Sequence, residues 1–92
     1  MDMKVAVCDD EINLAQIAKQ KIGQLRENYE IDLFTSGEDL LLSKLDYQLI
    51  VLDIEMPNQD GMQVAKCLWE KGFEGQIIFL TSHEERMIEA FG

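Results

Sequence analysis

The chain has 92 residues, with 18 Asp and Glu against 8 Lys and Arg and a formal net charge of -10. That length makes one small domain, and the charge disfavours nucleic acid or an anionic membrane surface as a direct partner while suiting a divalent cation or a basic protein. Apolar residues make up 47% of the chain, enough for a packed core and too many for a disordered segment, and no apolar run reaches membrane-spanning length.

Met3 to Cys8 reads as a strand and ends in three consecutive acids, Asp9, Asp10 and Glu11. Ile12 to Leu25 reads as a helix, with Leu14, Ile17, Ala18, Ile22 and Leu25 at helical spacing. YEIDLF is a second strand. SGEDLLLSKL opens a second helix, with Ser36 as N-cap and Asp39 three residues on, a variant of the capping box. QLIVLD is a third strand, a continuous apolar run of the kind buried on both faces. GMQVAKCLWEKG is a third helix, with Met62, Ala65 and Leu68 on one face and an end near Gly72. QIIFLT is a fourth strand, and HEERMIEAF begins a fourth helix that stops soon afterwards at Gly92. The alternation of strand and helix argues for an α/β domain with a parallel sheet.

The two cysteines, Cys8 and Cys67, form no CxxC or Cys/His pattern. Neither zinc nor a disulfide framework is indicated, and two such thiols fit a reducing compartment. The N-terminus MDMKVAVC has no signal-peptide stretch. The expected location is cytoplasmic.

In open α/β sheets, sites form beyond the carboxyl ends of the strands. The first strand ends in Asp9 and Asp10, the third in Asp53, and the fourth in Thr81 and Ser82. If strands one and three are neighbours, three carboxylates and a hydroxyl converge. Carboxylates held that close raise one another's pKa, and a hard divalent cation such as Mg²⁺ relieves the conflict. Taken singly, each acid has a plain structural reading. Asp10 can cap the first helix, and Asp53 can start the turn that Pro57, Asn58, Asp60 and Gly61 continue.

The combination VCDDE, VLDIEMPNQDG and IIFLTS, placed after strands one, three and four, resembles the receiver domain of two-component response regulators. The resemblance runs from Met3 to Phe91. It implies a flavodoxin-like (CheY-like) doubly wound parallel sheet of order 2-1-3-4, in a signalling domain rather than an enzyme. DIEMP and FLTSHEE look most like receivers that carry a LytTR-type DNA-binding output. By the resemblance, Asp53 is the phospho-acceptor and Asp10 the principal Mg²⁺ ligand, with Asp9 acting through water. Glu55 lends its backbone carbonyl to the metal, and Thr81 is the switch hydroxyl that meets the phosphoryl group. The partner it implies is a sensor histidine kinase. DNA would be reached only through an output domain absent from this chain, for transcription regulation.

The family also has a fifth strand ending in a lysine that pairs with the phosphoryl oxygens, and a fifth helix. Here the last lysine is Lys71, before strand four. Residues 1–92 are therefore expected to form a C-terminally incomplete receiver. An incomplete sheet would leave QIIFL as an open edge and uncover Val5, Val7 and Leu52, so self-association is expected. Two rivals stand beside this reading. A Mg²⁺-dependent phosphatase working through an aspartyl phosphate would want an Asp two residues after its nucleophile, where this chain has Glu55. A phosphorylation-independent interaction module on the same scaffold would want a damaged acid pair, and the pair is intact.

Overall fold

The computed structural model describes residues 3–25, 28–56 and 59–80, together with the backbone of 87–90. The elements in chain order are β1 (Met3–Cys8), α1 (Ile12–Leu25), β2 (Tyr29–Phe34), α2 (Gly37–Leu41), β3 (Leu49–Asp53), β4 (Glu55–Met56), β5 (Gln59–Asp60), α3 (Gly61–Glu70), β6 (Gln76–Leu80) and β7 (Met87–Ala90). The main sheet has the order β2-β1-β3-β6-β7, and β4 and β5 form a separate antiparallel pair. Strands β2, β1, β3 and β6 are all parallel, which is the expected 2-1-3-4 order.

Alternation along the strands divides the core in two. Val5 and Val7 of β1 and Val51 of β3 face α1, where Ala15, Ala18 and Ile22 meet them. Ala6, Cys8, Ile50, Leu52, Ile77 and Phe79 face the other way, onto Leu40 of α2 and Val64, Ala65 and Leu68 of α3. Strands β1 and β3 are buried on both faces, as QLIVLD predicts. Ser36 caps α2 as expected, accepting from the Asp39 N–H over 3.1 Å.

Four expectations need correction. The buried stripe of α1 is Ala15, Ala18 and Ile22, while Leu14, Ile17 and Leu25 are exposed. In α3 the buried partner of Ala65 and Leu68 is Val64, and Met62 is 52% exposed. Val5, Val7 and Leu52 are fully buried rather than uncovered, Val5 and Val7 against α1 and Leu52 on the opposite face.

The fourth correction concerns the helix expected from HEERMIEAF. Within it, Met87–Ala90 is a strand, β7, antiparallel to β6 with Ile77 opposite Ala90 and Leu80 opposite Met87. Residues 81–86 separate the two strands, and a link of that length allows an antiparallel neighbour, whereas a parallel one needs a crossover of about a dozen residues or more. The pairing satisfies the backbone of the apolar QIIFL strand, so that strand is not an open edge.

Candidate functional site

Asp9 follows β1 and Asp53 ends β3. The two strands run in register, with Cys8 opposite Leu52, so Asp9 and Asp53 lie level at the carboxyl end of the sheet. The backbone beside each acid is tied to the neighbouring strand, β2 or β6. The Asp9 N–H donates to the Phe34 carbonyl over 2.9 Å, and the Ile54 N–H to the Leu80 carbonyl over 3.1 Å.

Each acid then folds its carboxylate back onto its own chain. Asp9 Oδ1 accepts from the Glu11 N–H and Asp53 Oδ1 from the Glu55 N–H, both over 2.9 Å. These are turn bonds of the type Asp readily makes two residues on, and they fix the direction of both side chains. The turn bond ahead of α1 comes from Asp9, not from Asp10.

Asp9, Asp10 and Asp53 each offer a carboxylate oxygen, and those oxygens lie within 4.8 Å of one another. Asp9 is 5% and Asp53 3% exposed. Burial pushes Asp9 up to about 6, and the charges of Asp53, Asp10 and Glu11 push the same way against the Glu11 N–H. Asp53 is raised as well, first by burial and then by the Asp10 charge. The Glu55 N–H and a hydrogen bond with Asp9 hold it down in part. A buried, mutually repelling set of hard oxygens fits a hard divalent cation. The site can therefore gather such a cation and an anionic group beside a partly buried carboxylate.

Glu55 follows Asp53 by two residues and begins β4, pairing with Asp60 of β5. Thr81 lies outside the described residues. Met56 is buried in the core beside α3. The β4–β5 pair was not foreseen, because Pro57, Asn58, Asp60 and Gly61, four of the six residues of MPNQDG, are turn formers. Gly61, which sequence reading took for one more of them, sits directly against the backbone of Asp53 and Ile54. Its position immediately after the α3 cap, Asp60, is the signal that marks it, since a glycine is not needed there for the cap.

Residues 5–91 match the family model of the response regulator receiver domain. The transcriptional regulatory protein PcoR of Escherichia coli is 36% identical over 83 residues, covering 88% of this chain and 36% of that protein. Response regulator DrrB of Thermotoga maritima, an OmpR/PhoB homolog, superposes with a TM-score of 0.76 at 31% identity, covering 88% of this chain and 36% of that one. Response regulator TrrA of Thermotoga maritima, solved with Mg²⁺-BeF, gives a TM-score of 0.78 at 36% identity over 89% of this chain and 71% of that one. TrrA has also been solved with the histidine kinase ThkA. The chain spans little more than a third of the length of the curated relatives it matches. The narrower resemblance to receivers with a LytTR-type output finds no support here, since the relative whose class is named is of OmpR/PhoB type.

Proposed function

The chain belongs to the response regulator receiver family, and we propose that Asp53 accepts a phosphoryl group from a sensor histidine kinase in a two-component pathway. The observation that carries this reading is the convergence of Asp9, Asp10 and Asp53 within 4.8 Å at the ends of β1 and β3. A lone strand-end Asp is a turn residue; three on adjacent strands form a receptacle for charge.

An Asp53 carboxylate oxygen attacks the phosphorus of a phosphohistidine, the P–N bond breaks, and an acyl phosphate forms on Asp53. The Glu55 N–H bond to Asp53 Oδ1 sets the orientation of the attacking carboxylate. Asp10, Asp53, Asp9 through water and the Glu55 backbone carbonyl would hold Mg²⁺, which would supply positive charge against the phosphoryl oxygens. Thr81 is proposed as the hydroxyl that turns toward the new phosphoryl group. The added charge, about -1.5 to -2 by analogy with other phosphorylated side chains, then biases the end of the sheet between two arrangements.

The kinase as partner is supported by the TrrA–ThkA complex and by the surface beside the pocket. Ile12, Leu14 and Ile17, at the start of α1, are 45%, 39% and 47% exposed. They give an apolar surface next to Asp10 for a partner helix. Transcription regulation through a DNA-binding output domain is supported by the relatives, which are regulators about two and a half times as long. Among the described residues no helix is long and apolar enough to cross a membrane, and both cysteines are free thiols. A cytoplasmic location is proposed on those grounds.

The test is exposure of the protein to a small phosphoryl donor with Mg²⁺, read by intact mass. One phosphoryl adduct is expected, absent from Asp53→Asn and absent when Mg²⁺ is chelated. An adduct that survives Asp53→Asn places the chemistry elsewhere and overturns the assignment.

A further inference from the structure

Gly61 is the first residue of α3 and is buried. A Cβ built on it would lie 2.5 Å from the Asp53 carbonyl oxygen, 2.6 Å from Ile54 Cα and 3.1 Å from the Asp53 carbonyl carbon. All three are backbone atoms, so no side chain can rotate away to make room. Ordinary contact begins near ~3.5 Å, so a methyl group there forces the start of α3 and the end of β3 apart by roughly 1 Å.

Backbone conformation does not explain the glycine. Gly72 is the glycine with positive φ among the described residues, whereas Gly61 takes a φ open to any residue. It also follows an N-cap, Asp60, that already satisfies the Met62 N–H over 2.9 Å. What the missing side chain provides is proximity. The Gly61 N–H reaches the Ile54 carbonyl at 3.4 Å, and the first turn of α3 becomes a seat for the peptide linking Asp53 to Ile54.

We propose that Gly61 is a positioning residue for the acid cluster, holding the end of β3 where the Asp53 carboxyl meets those of Asp9 and Asp10. This rests on the reading of that cluster as a divalent-cation and phosphoryl site. The Asp53 side chain is set by two backbone constraints. One is the Glu55 N–H on its carboxylate; the other is the bare Cα of Gly61 against its carbonyl. Relief of a methyl at position 61 must come from one of two movements. Either α3 lifts, loosening Val64, Ala65 and Leu68, or the Asp53–Ile54 peptide moves and carries the carboxyl with it. Those three α3 side chains are fully or almost fully buried, so that face of the helix is wedged in a packed core. The peptide therefore yields, and the Asp53 oxygen moves off the centre it shares with those of Asp9 and Asp10.

The experiment compares Gly61→Ala with Val64→Ala, a cavity variant in the same helix, at matched urea-unfolding midpoints. Mg²⁺ is titrated alone, and amide shifts of residues 9–11 and 53–55 are followed. Gly61→Ala is expected to raise the Mg²⁺ midpoint about tenfold or more, as displacement of a supporting contact does at other metal sites; Val64→Ala is expected to stay within about twofold of the parent. If Gly61→Ala follows Val64→Ala, the positioning role is overturned while the cluster reading stands. If the parent ignores Mg²⁺, the cluster reading falls and takes this one with it. If Gly61→Ala does not fold, the parent decides. The Gly61 amide is expected to shift with Mg²⁺ at the same midpoint as Ile54 and Glu55, and an unmoved Gly61 amide overturns the proposal.

Discussion

Asp9 and Asp53 stand level at the carboxyl ends of neighbouring parallel strands, both nearly inaccessible to solvent; burial raises both, and the Asp53 charge makes Asp9 harder still to ionise, while the hydrogen bond with Asp9 partly offsets the rise at Asp53. The folded, metal-free chain therefore holds on to a proton that the unfolded chain releases.

That arrangement gives a pH dependence of definite sign. The Asp9 carboxyl ordinarily titrates at 3.8 and is pushed up to about 6 in the fold. Between those values the native state binds more protons than the unfolded state, so stability falls as pH rises through the window. A shift of that size corresponds to ~3 kcal/mol at most, and ~1–2 kcal/mol is expected once water at the pocket mouth is counted. Urea midpoints in chelator at pH 4.5 and pH 7 measure it. Asp9→Asn is expected to flatten the slope and to be more stable than the parent at pH 7. A parent curve that rises over this range as steeply as that of Asp9→Asn contradicts the account.

Mg²⁺ should reverse the same penalty. A cation that binds the native cluster and not the unfolded chain stabilises by mass action, by ~2.7 kcal/mol at a hundredfold excess over its dissociation constant. The urea midpoint at pH 7 is expected to climb with Mg²⁺ in the parent and to stay flat in Asp10→Ala and Asp53→Ala. An Asp10→Ala chain that gains as much as the parent removes Asp10 from the site.

The two thiols should part company in a labelling experiment. Cys8 is fully buried in β1, and burial first, then the charges of Asp9, Asp53 and Asp10, pushes its thiol up to about 12. Cys67 is half-buried on α3. Since the thiolate is the reactive form, an alkylating reagent at pH 8 is expected to modify Cys67 alone in the folded chain and both residues in denaturant. Equal rates at the two sites in the folded chain would contradict the burial of Cys8.

Gly23 offers the opposite case to Gly61. It lies inside α1, and a Cβ there meets nothing within 4 Å. Gly23→Ala is expected to stabilise the chain by ~0.5–1 kcal/mol, through helix propensity and a less flexible unfolded chain. Thermal or urea unfolding measures this, and a loss of stability would show that the helix passes closer to a neighbour than the structure places it.

The sequence told much of this in advance, for identifiable reasons. The runs VAVC and LIVLD are continuous and apolar, as suits strands buried on both faces, and QIIFL, buried mainly through Ile77 and Phe79, is β-rich enough to read as a strand too. The acids at the ends of VAVC and LIVLD could be matched because a parallel sheet puts all carboxyl ends on one side. Helical spacing was a poorer guide. Leu14, Ile17 and Leu25 have the right period to be a core stripe, yet Ala15, Ala18 and Ile22 face the sheet. Periodicity gives the existence of a face but not which face is turned inward when apolar residues stand on several sides. MIEA carried acidic and helix-forming neighbours and read as helix, but pairing with an exposed apolar strand outweighs local preference. For Gly61 the sequence offered only its place after the Asp60 cap, where no glycine is needed; the closeness of its Cα to the Asp53–Ile54 backbone shows only in the fold.

One further tie has consequences for the order in which the molecule opens. The Tyr47 hydroxyl, just ahead of β3, donates to Asp32 Oδ2 on β2 over 2.6 Å, and its ring meets Phe34 edge-on with centroids 6.1 Å apart. The Lys4 ammonium, bonded to Asp46 at 2.7 Å, stands 5.4 Å from the same ring. A side chain that starts beside β3 thus crosses β1 to grip β2, the edge strand. Edge strands ordinarily fray by themselves, through local openings that cost little. Here β2 cannot peel away without breaking the Tyr47–Asp32 bond, so β2, β1 and β3 are expected to exchange their amide hydrogens as one cooperative block. In Tyr47→Phe the tie is cut, leaving the edge strand to exchange ahead of the other two, so a single aromatic hydroxyl decides whether this sheet opens strand by strand or all at once.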